Sequence, residues 1–476
     1  MGGHEDVVVR IRMYRQGLGD CHLVTVIDGG APVFRMLIDC GVYQTAGGGA
    51  DTMRRIVQNV IDETGGHVDV LAVTHEHWDH VSGFNQAKAL FAAHDEADKT
   101  GKLSVGAVWM GWTEDPADTT ARRIVANRGA MVKRVALALN AASGFAAAGS
   151  EAAGQLASGL ESVLGFFGGA RRTTADAIDF ARSLVATPRY CRPSDEPIAL
   201  TPGIRAYVLG PPLDPARLYQ LADDDQTYGM GASSAQLALL DALGGTDPTQ
   251  CDRSQPFEEG FRIGAPYFRL PSSGEATPPA TGDFFKDAYW GPAADGGDQS
   301  WRRIDGDWLT GSREFALKLD NATNNTSLVL ALEFERSGRT LLFAADAQVG
   351  SWLSWQELAW TVDGEEVTAR HLLASTAFLK VGHHGSHNAT LREKGLETMS
   401  DDLVAFIPTD EVLAQKVGWG SMPLPSLVKA LDRHTGGRVL RADRPFDPVM
   451  NGGAAVARFA RELTQTELYY EIDIRP

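Results

Sequence analysis

The feature that most constrains this chain is a buried strand that runs without a break into a polar cluster, "VDVLAVTHEHWDH", residues 68 to 80. The six positions from His75 to His80 hold three histidines and two acids. In extended backbone, residues two apart face the same side, so His75 and His77 present their imidazoles together. Asp79 and His80 come from the turn that follows and can aim at a neighbouring point. One segment can thus hold two adjacent divalent ions, with two ligands for each. Imidazole and carboxylate suit zinc, manganese or iron(II), and the absence of thiols disfavours a closed structural zinc site.

Each ion needs further ligands, one of them a shared acid, and the chain offers few. Of its 12 histidines, only His94 lies between His80 and His371. Asp346 ends the strand-like "TLLFAAD" and is an available bridging acid. "KVGHHGSHN" supplies His383, His384 and His387. Asp39 ends "VFRMLID" and can orient a ligand histidine through its other ring nitrogen; Asp20 in "GLGDC" is placed with it. The 75–80 cluster, Asp39, Asp346 and the 383–387 histidines each close a predicted strand, as one catalytic edge of a sheet requires.

With 476 residues, the chain is long enough for two domains or for one large domain with insertions. The pattern favours the second. Short strands and turns fill the first 100 residues, and regular structure returns at "TSLVLALEFERSGRTLLFAAD". Between them, 101–200 reads as a mainly helical insertion, 201–212 as a core strand, and 213–318 as a loop-rich insertion. Residues 319–476 then complete the second half of the fold.

No apolar run is long enough to cross a membrane and no signal sequence opens the chain, so the expected location is cytoplasmic. The four scattered cysteines suit buried thiols better than disulfides or a metal site. A formal charge of −17 opposes binding of a long polyanion unless a local basic strip or a cation assists. "TARRIVANRGAMVKR" could be such a strip or simply a solvated helix face. Trp109 and Trp112 could stack against substrate or pack in the core.

"THEHWDH" resembles the HxHxDH signature of the metallo-β-lactamase fold, with Asp39, Asp346 and "HHGS" in that family's order. "GLGDC", "LIDCG", "VLGPP", "NNTSLVL" and "KVGHHGS" are similar to one branch, the nuclease-like domain of the competence protein ComEC and its soluble relatives. The resemblance implies an αββα sandwich of two mixed sheets flanked by helices. It implies one ion on His75 and His77, a second on Asp79 and His80, Asp346 between them, and His384 as the last ligand. His383 then becomes a wall or supporting group. The chain departs from the fold's usual pattern twice: it lacks a separate histidine between the cluster and the bridging acid, and it has "AAD" where the branch has "TGD". Asn324, Asn325 and Ser327 fall where that histidine is missed and either contact substrate or shape a turn; Ser386 falls at the pocket, and His387 at the pocket or on the surface.

Two neighbouring cations lower the pKa of a water between them and stabilise charge on a phosphoryl or carbonyl oxygen. The expected activity is therefore hydrolysis, with one or two zinc or manganese ions as cofactor. Asp79 would relay a proton, and Lys380 or His383 would steady the leaving group. A phosphodiesterase or nuclease acting on DNA, RNA or a smaller phosphodiester is the expectation that the resemblance implies. The alternatives are a hydrolase of a small ester, lactone, lactam or phosphodiester, and an effector that docks a protein partner through the 116–190 insertion, as in a phage-defence system.

Overall fold

The computed structural model describes residues 7–43, 49–147, 151–169, 172–218, 220, 319–417, 419, 421–448 and 454–476. The chain divides into two compact units. The first gathers Met1–Val132, Ser162–Ala232 and Lys318–Pro476, and the second Lys133–Glu161 and Ser233–Leu317. The described part of the second unit is helical, at 133–147 and 151–161. Nearly all of the loop-rich 213–318 segment, including "SSAQLALLDAL" and Cys251, lies outside the described residues.

The first unit holds two large mixed sheets. In the eight-stranded sheet the order is Thr464–Gln465, Tyr469–Ile474, Val8–Tyr14, His22–Asp28, Ala31–Ile38, His67–Val73, Ser104–Gly111 and Arg189–Cys191. The seven-stranded sheet runs Val439–Arg441, Val404–Ile407, Thr376–Lys380, Thr340–Phe343, Val329–Phe334, Ile204–Gly210 and Ile198–Thr201. Each sheet joins parallel pairs to antiparallel hairpins; Ala31–Ile38, His67–Val73 and Ser104–Gly111 are mutually parallel, for example.

Alternation along each strand decides the layers. Val24, Met36, Val70 and Ala72 point to the other sheet, where Val208, Leu330, Leu341 and Phe378 meet them in one core. The intervening Leu23, Leu37, Leu71 and Val73 pack under the helices Gly49–Thr64 and Thr174–Ser183. On the far side, Leu342 and Leu379 pack under Val349–Trp355 and Pro425–Thr435. Strands covered on both faces read as continuous apolar runs, as "VLAV" and "AFLKV" do. The molecule is an α/β protein in which two sheets pack face to face between helices.

The 101–200 boundary needs correction. Ser104–Gly111 and Arg189–Cys191 are strands of the eight-stranded sheet and Ile198–Thr201 belongs to the other, so the excursion between strands is narrower, with helices Thr119–Ala147, Glu151–Gly165 and Thr174–Ser183. Composition hid this because "SVGAVWMG" begins half-exposed. Both tryptophans after the cluster serve packing: Trp109 sits in the core between the sheets, and buried Trp112 donates through Nε1 to Pro211 O at 3.1 Å. Cys21, Cys40 and Cys191 are buried free thiols. No helix among the described residues is long and apolar enough to cross a membrane.

Candidate metal centre

Four strand ends of the two sheets converge on one buried cluster. After Ala31–Ile38 the chain turns at Asp39, whose φ of 56° is left-handed. After His67–Val73 come Thr74, His75 and His77, and the helix Trp78–Gln86 starts at once, placing Asp79 and His80 in its first turn rather than in a loop. Thr340–Phe343 leads to Asp346 and Thr376–Lys380 leads to His383 and His384. The glycines beside the cluster are there for space. A Cβ on Gly41 would lie 2.3 Å from the Asp79 carbonyl, and one on Gly19 would lie 2.4 Å from Gly41 O.

Asp79, His80, Asp346 and His384 each offer a ligand atom, all within 4.8 Å of one another and all buried. His384 Nε2 lies 2.7 Å from Asp79 Oδ2 and 3.7 Å from Asp346 Oδ2. His80 Nε2 lies 3.2 Å from Asp346 Oδ2 and 3.8 Å from Asp79 Oδ2. The tautomers are set from behind. His80 Nδ1 donates to Asp39 Oδ2 at 2.7 Å, and His384 Nδ1 to Pro408 O at 2.6 Å, which leaves each Nε2 facing the acids. Asp39 is itself held by Thr74 N at 2.8 Å and Thr74 Oγ1 at 2.6 Å.

His75 and His77 lie beside this quartet. His75 Nε2 and His77 Nδ1 are 3.1 Å apart, and His75 Nδ1 is 3.1 Å from Thr74 Oγ1 and 3.3 Å from Ser327 Oγ. The chain returning from Glu151–Gly165 sets Phe166 and Phe167 against His77, each ring centre 5.1 Å away.

These surroundings polarise the imidazoles in opposite directions. Burial pulls His80 and His384 down, but nearby carboxylates, Asp346 foremost, outweigh it and hold both above the ordinary histidine value. Burial dominates at His75, held well below that value, and at His77, lowered to about 3. Burial opposes the charge on Asp346 too, yet His80, Lys380 and His384 keep it well below the carboxylate range. Such divergence inside one cluster marks a site built for chemistry more often than for stability.

A cation fits the donor set. Among the described residues Asp79 Oδ1, His80 Nε2 and Asp346 Oδ2 are buried without a hydrogen-bond partner, and burying such groups unsatisfied is costly. His80 Nε2 and Asp346 Oδ2 face each other at 3.2 Å within the quartet, and nitrogen and oxygen donors without thiolate match zinc, manganese or iron(II). The triplet Asp20, Asp39 and His80 is also close, but it is no second cation site. Asp39 already accepts from the His80 ring, and Asp20 is ion-paired with Lys380.

Several expectations change here. Lys380 is buried, and its ammonium is taken up by Asp20, by Ala345 O at 2.6 Å and by Asp346 Oδ1 at 3.1 Å. It neutralises acids rather than reaching a leaving group. His383 has Nδ1 against Gln348 Nε2 and Ser386 Oγ, both at 2.9 Å, and Nε2 against Asn324 Nδ2 at 3.3 Å. Burial lowers it to about 4, so it is neutral and engaged on both nitrogens, a wall of the site rather than an acid. Asn325 braces Leu218 O and Gln348 N, Ser327 Oγ braces His75 and Asp346 N, and Ser386 Oγ also reaches Asn388. All three are occupied within the protein instead of facing substrate. His387 is exposed. Arg128 of the basic stretch turns inward to Glu76 and Glu114, so it is a clamp on the histidine segment and not a phosphate guide.

The sequence reading missed Asp320. It lies in the helical stretch at 319–324, buried, 3.8 Å from both His77 Nε2 and His383 Nε2. Burial first, then Asp79 and Asp346, push its carboxyl well above the ordinary range. Its one signal was Asn324 four residues on, a helical spacing within "LDNATNNTS". Compared with known protein families, with curated proteins and with solved structures, the chain finds no match in any of the three.

Proposed function

We propose that this protein is a metal-dependent hydrolase of phosphodiesters with a metallo-β-lactamase-type site that takes two divalent cations, zinc or manganese. The observation that carries the reading is the set of histidine tautomers. Asp39 and Pro408 O each occupy one ring nitrogen of His80 and His384 and leave the other turned toward buried carboxylates, while the Thr74–Ser327 pair occupies Nδ1 of His75 and leaves its Nε2 turned toward His77. Bound cations would supply two things: an activated water near neutral pH and stabilisation of the charge that builds on the phosphoryl group.

The chain's own residues do the rest. His80, His384, Asp79 and Asp346 would hold one cation and His75 with His77 the other, Asp346 lying between them. Lys380 offsets the negative charge of Asp20 and Asp346, which keeps the acids close together without mutual repulsion. Asp79, whose Oδ1 is free of a partner among the described residues, would accept a proton from attacking water.

The ComEC-like motifs favour a nucleic-acid substrate. Two observations favour the smaller phosphodiester as a second reading: the charge of −17 and the inward commitment of Arg128. The deciding experiment incubates the purified chain, loaded with Mn²⁺ or Zn²⁺, with plasmid, linear and single-stranded DNA, RNA and a bis-aryl phosphate. Cleavage of nucleic acid supports the first reading, and turnover of the aryl ester alone supports the second. Failure of every substrate with two ions bound would sink both.

A further inference from the structure

The two-cation reading leaves His77 without the orienting group that His75, His80 and His384 each have, and the surroundings of His77 point to it. His75 Nε2 and His77 Nδ1 face each other at 3.1 Å. That is close to the roughly 3.3 Å separating two ligands on a tetrahedral zinc with bonds of about 2.0–2.1 Å. A histidine that gives Nδ1 to a cation carries its proton on Nε2. His77 is fully buried, so that N–H needs an acceptor inside the protein.

His77 Nε2 has no hydrogen-bond partner among the described residues, and neither has Asp320 Oδ1, 3.8 Å away. The other carboxylate oxygen, Oδ2, accepts from Asn324 Nδ2 at 3.3 Å, which ties the acid to its own helical stretch. We infer that Asp320 accepts a hydrogen bond from His77 Nε2–H and so fixes His77 as an Nδ1 ligand. It is a positioning residue, standing to His77 as Asp39 stands to His80. It is not a third ligand of that cation, because Nε2 and the group beside it point away from whatever Nδ1 holds. The inference rests on the two-cation reading, and it accounts for a buried acid that the hydrolytic scheme otherwise leaves unused.

The test titrates the metal-free, full-length chain with Co²⁺, followed by calorimetry and by the visible cobalt spectrum. Wild type is compared with Asp320→Leu, with the isosteric Asp320→Asn, with His77→Ala and with the double variant, circular dichroism confirming the fold of each. Wild type is expected to show two binding steps. Asp320→Leu should weaken one of them about 10- to 100-fold and leave the other unchanged. Asp320→Asn, which keeps an acceptor oxygen, should lose less. In the His77→Ala background Asp320→Leu should cost nothing more, and the exchangeable, cobalt-shifted imidazole N–H signal of His77 should vanish from the proton NMR spectrum of Asp320→Leu.

Two unchanged steps in Asp320→Leu, or the same loss with and without His77, would overturn the inference and leave the hydrolase reading standing. A wild-type chain that binds no cobalt would overturn both.

Discussion

The two halves of the buried cluster use one side chain to opposite ends. Around Asp79, His80, Asp346 and His384, imidazole and carboxylate are in direct contact, and the histidines are held above their ordinary value despite complete burial. Around His75 and His77, imidazole faces imidazole and phenyl rings, Asp320 stands off at 3.8 Å from His77, and burial holds both rings neutral. Burial is the same in the two halves; the acids are not. The acid-rich half has the negative charge that would draw a cation, whereas the His75/His77 half has neutral donors and would attract one less. Under the proposed function, the first half is the tight cation site and the second the weak one.

The comparison breaks most visibly at Asp346, the acid whose Oδ2 lies 3.2 Å from His80 Nε2 and 3.7 Å from His384 Nε2. Asp346→Asn keeps the shape but removes the charge. Turnover of a bis-aryl phosphate should fall on the order of 10³-fold or more, and the zinc or manganese content should drop. Full activity with full metal content would end the bridging role.

Asp39→Asn probes one half alone. It places an amide N–H or a weaker acceptor against His80 Nδ1, and cation affinity in the acid-rich half should fall about 10- to 100-fold with the other half unaffected. Equal losses in both binding steps, measured by calorimetry, would show that the halves are not separable.

How much of this was legible from the sequence follows the same division. His75, His77, Asp79 and His80 sit within seven residues of a strand end at Val73, so their convergence needed only local geometry. Asp39, Asp346 and His384 each close an apolar run, and the sheet brings such ends to one edge. Asp320 closes no run. It reaches His77 because a helical stretch packs over the site, a placement that depends on tertiary contacts with no local pattern. Lys380 misled for a related reason. Its position in "FLKVGHH" marks it as near the site, but only the fold shows Asp20 arriving from the turn between Val8–Tyr14 and His22–Asp28 to absorb its charge. The closing strand Tyr469–Ile474, paired along its length with Val8–Tyr14, was equally invisible, because its half-polar "YYEIDI" resembles an exposed tail.

His22 sharpens the claim that acids rather than burial decide the sign. It lies on the strand next to Val8–Tyr14, packed against Phe343 and Phe406, with neither ring nitrogen bonded to any described residue. Burial lowers it to about 4. An unfolded histidine titrates near 6.5, so the unfolded chain gains a proton as pH falls below 6.5 while folded His22 does not. Its contribution to stability is whole above pH 6.5 and is lost as pH falls toward 4. His22→Leu should therefore gain on wild type by on the order of 2 kcal/mol between pH 7 and pH 4.5 in urea unfolding. A gap that stays constant with pH would mean that His22 is not held neutral.

The smallest effect concerns backbone. Left-handed non-glycine residues cluster at Asp39, Ala345, His383 and His384, all beside the acid-rich half, and none falls in the 75–80 stretch. At Ala345 the φ of 48° costs an alanine about 1–2 kcal/mol, which a glycine avoids. Against that, glycine loses about 0.5–1 kcal/mol of chain entropy and about 0.8 kcal/mol from the buried methyl group. The balance for Ala345→Gly is near zero. Ala405→Gly, equally buried but in the strand Val404–Ile407, where no relief is available, should cost about 1 kcal/mol more. If both substitutions destabilise alike in urea, the left-handed turn before Asp346 stores no strain. The acid-rich half would then differ from its neighbour in charge alone.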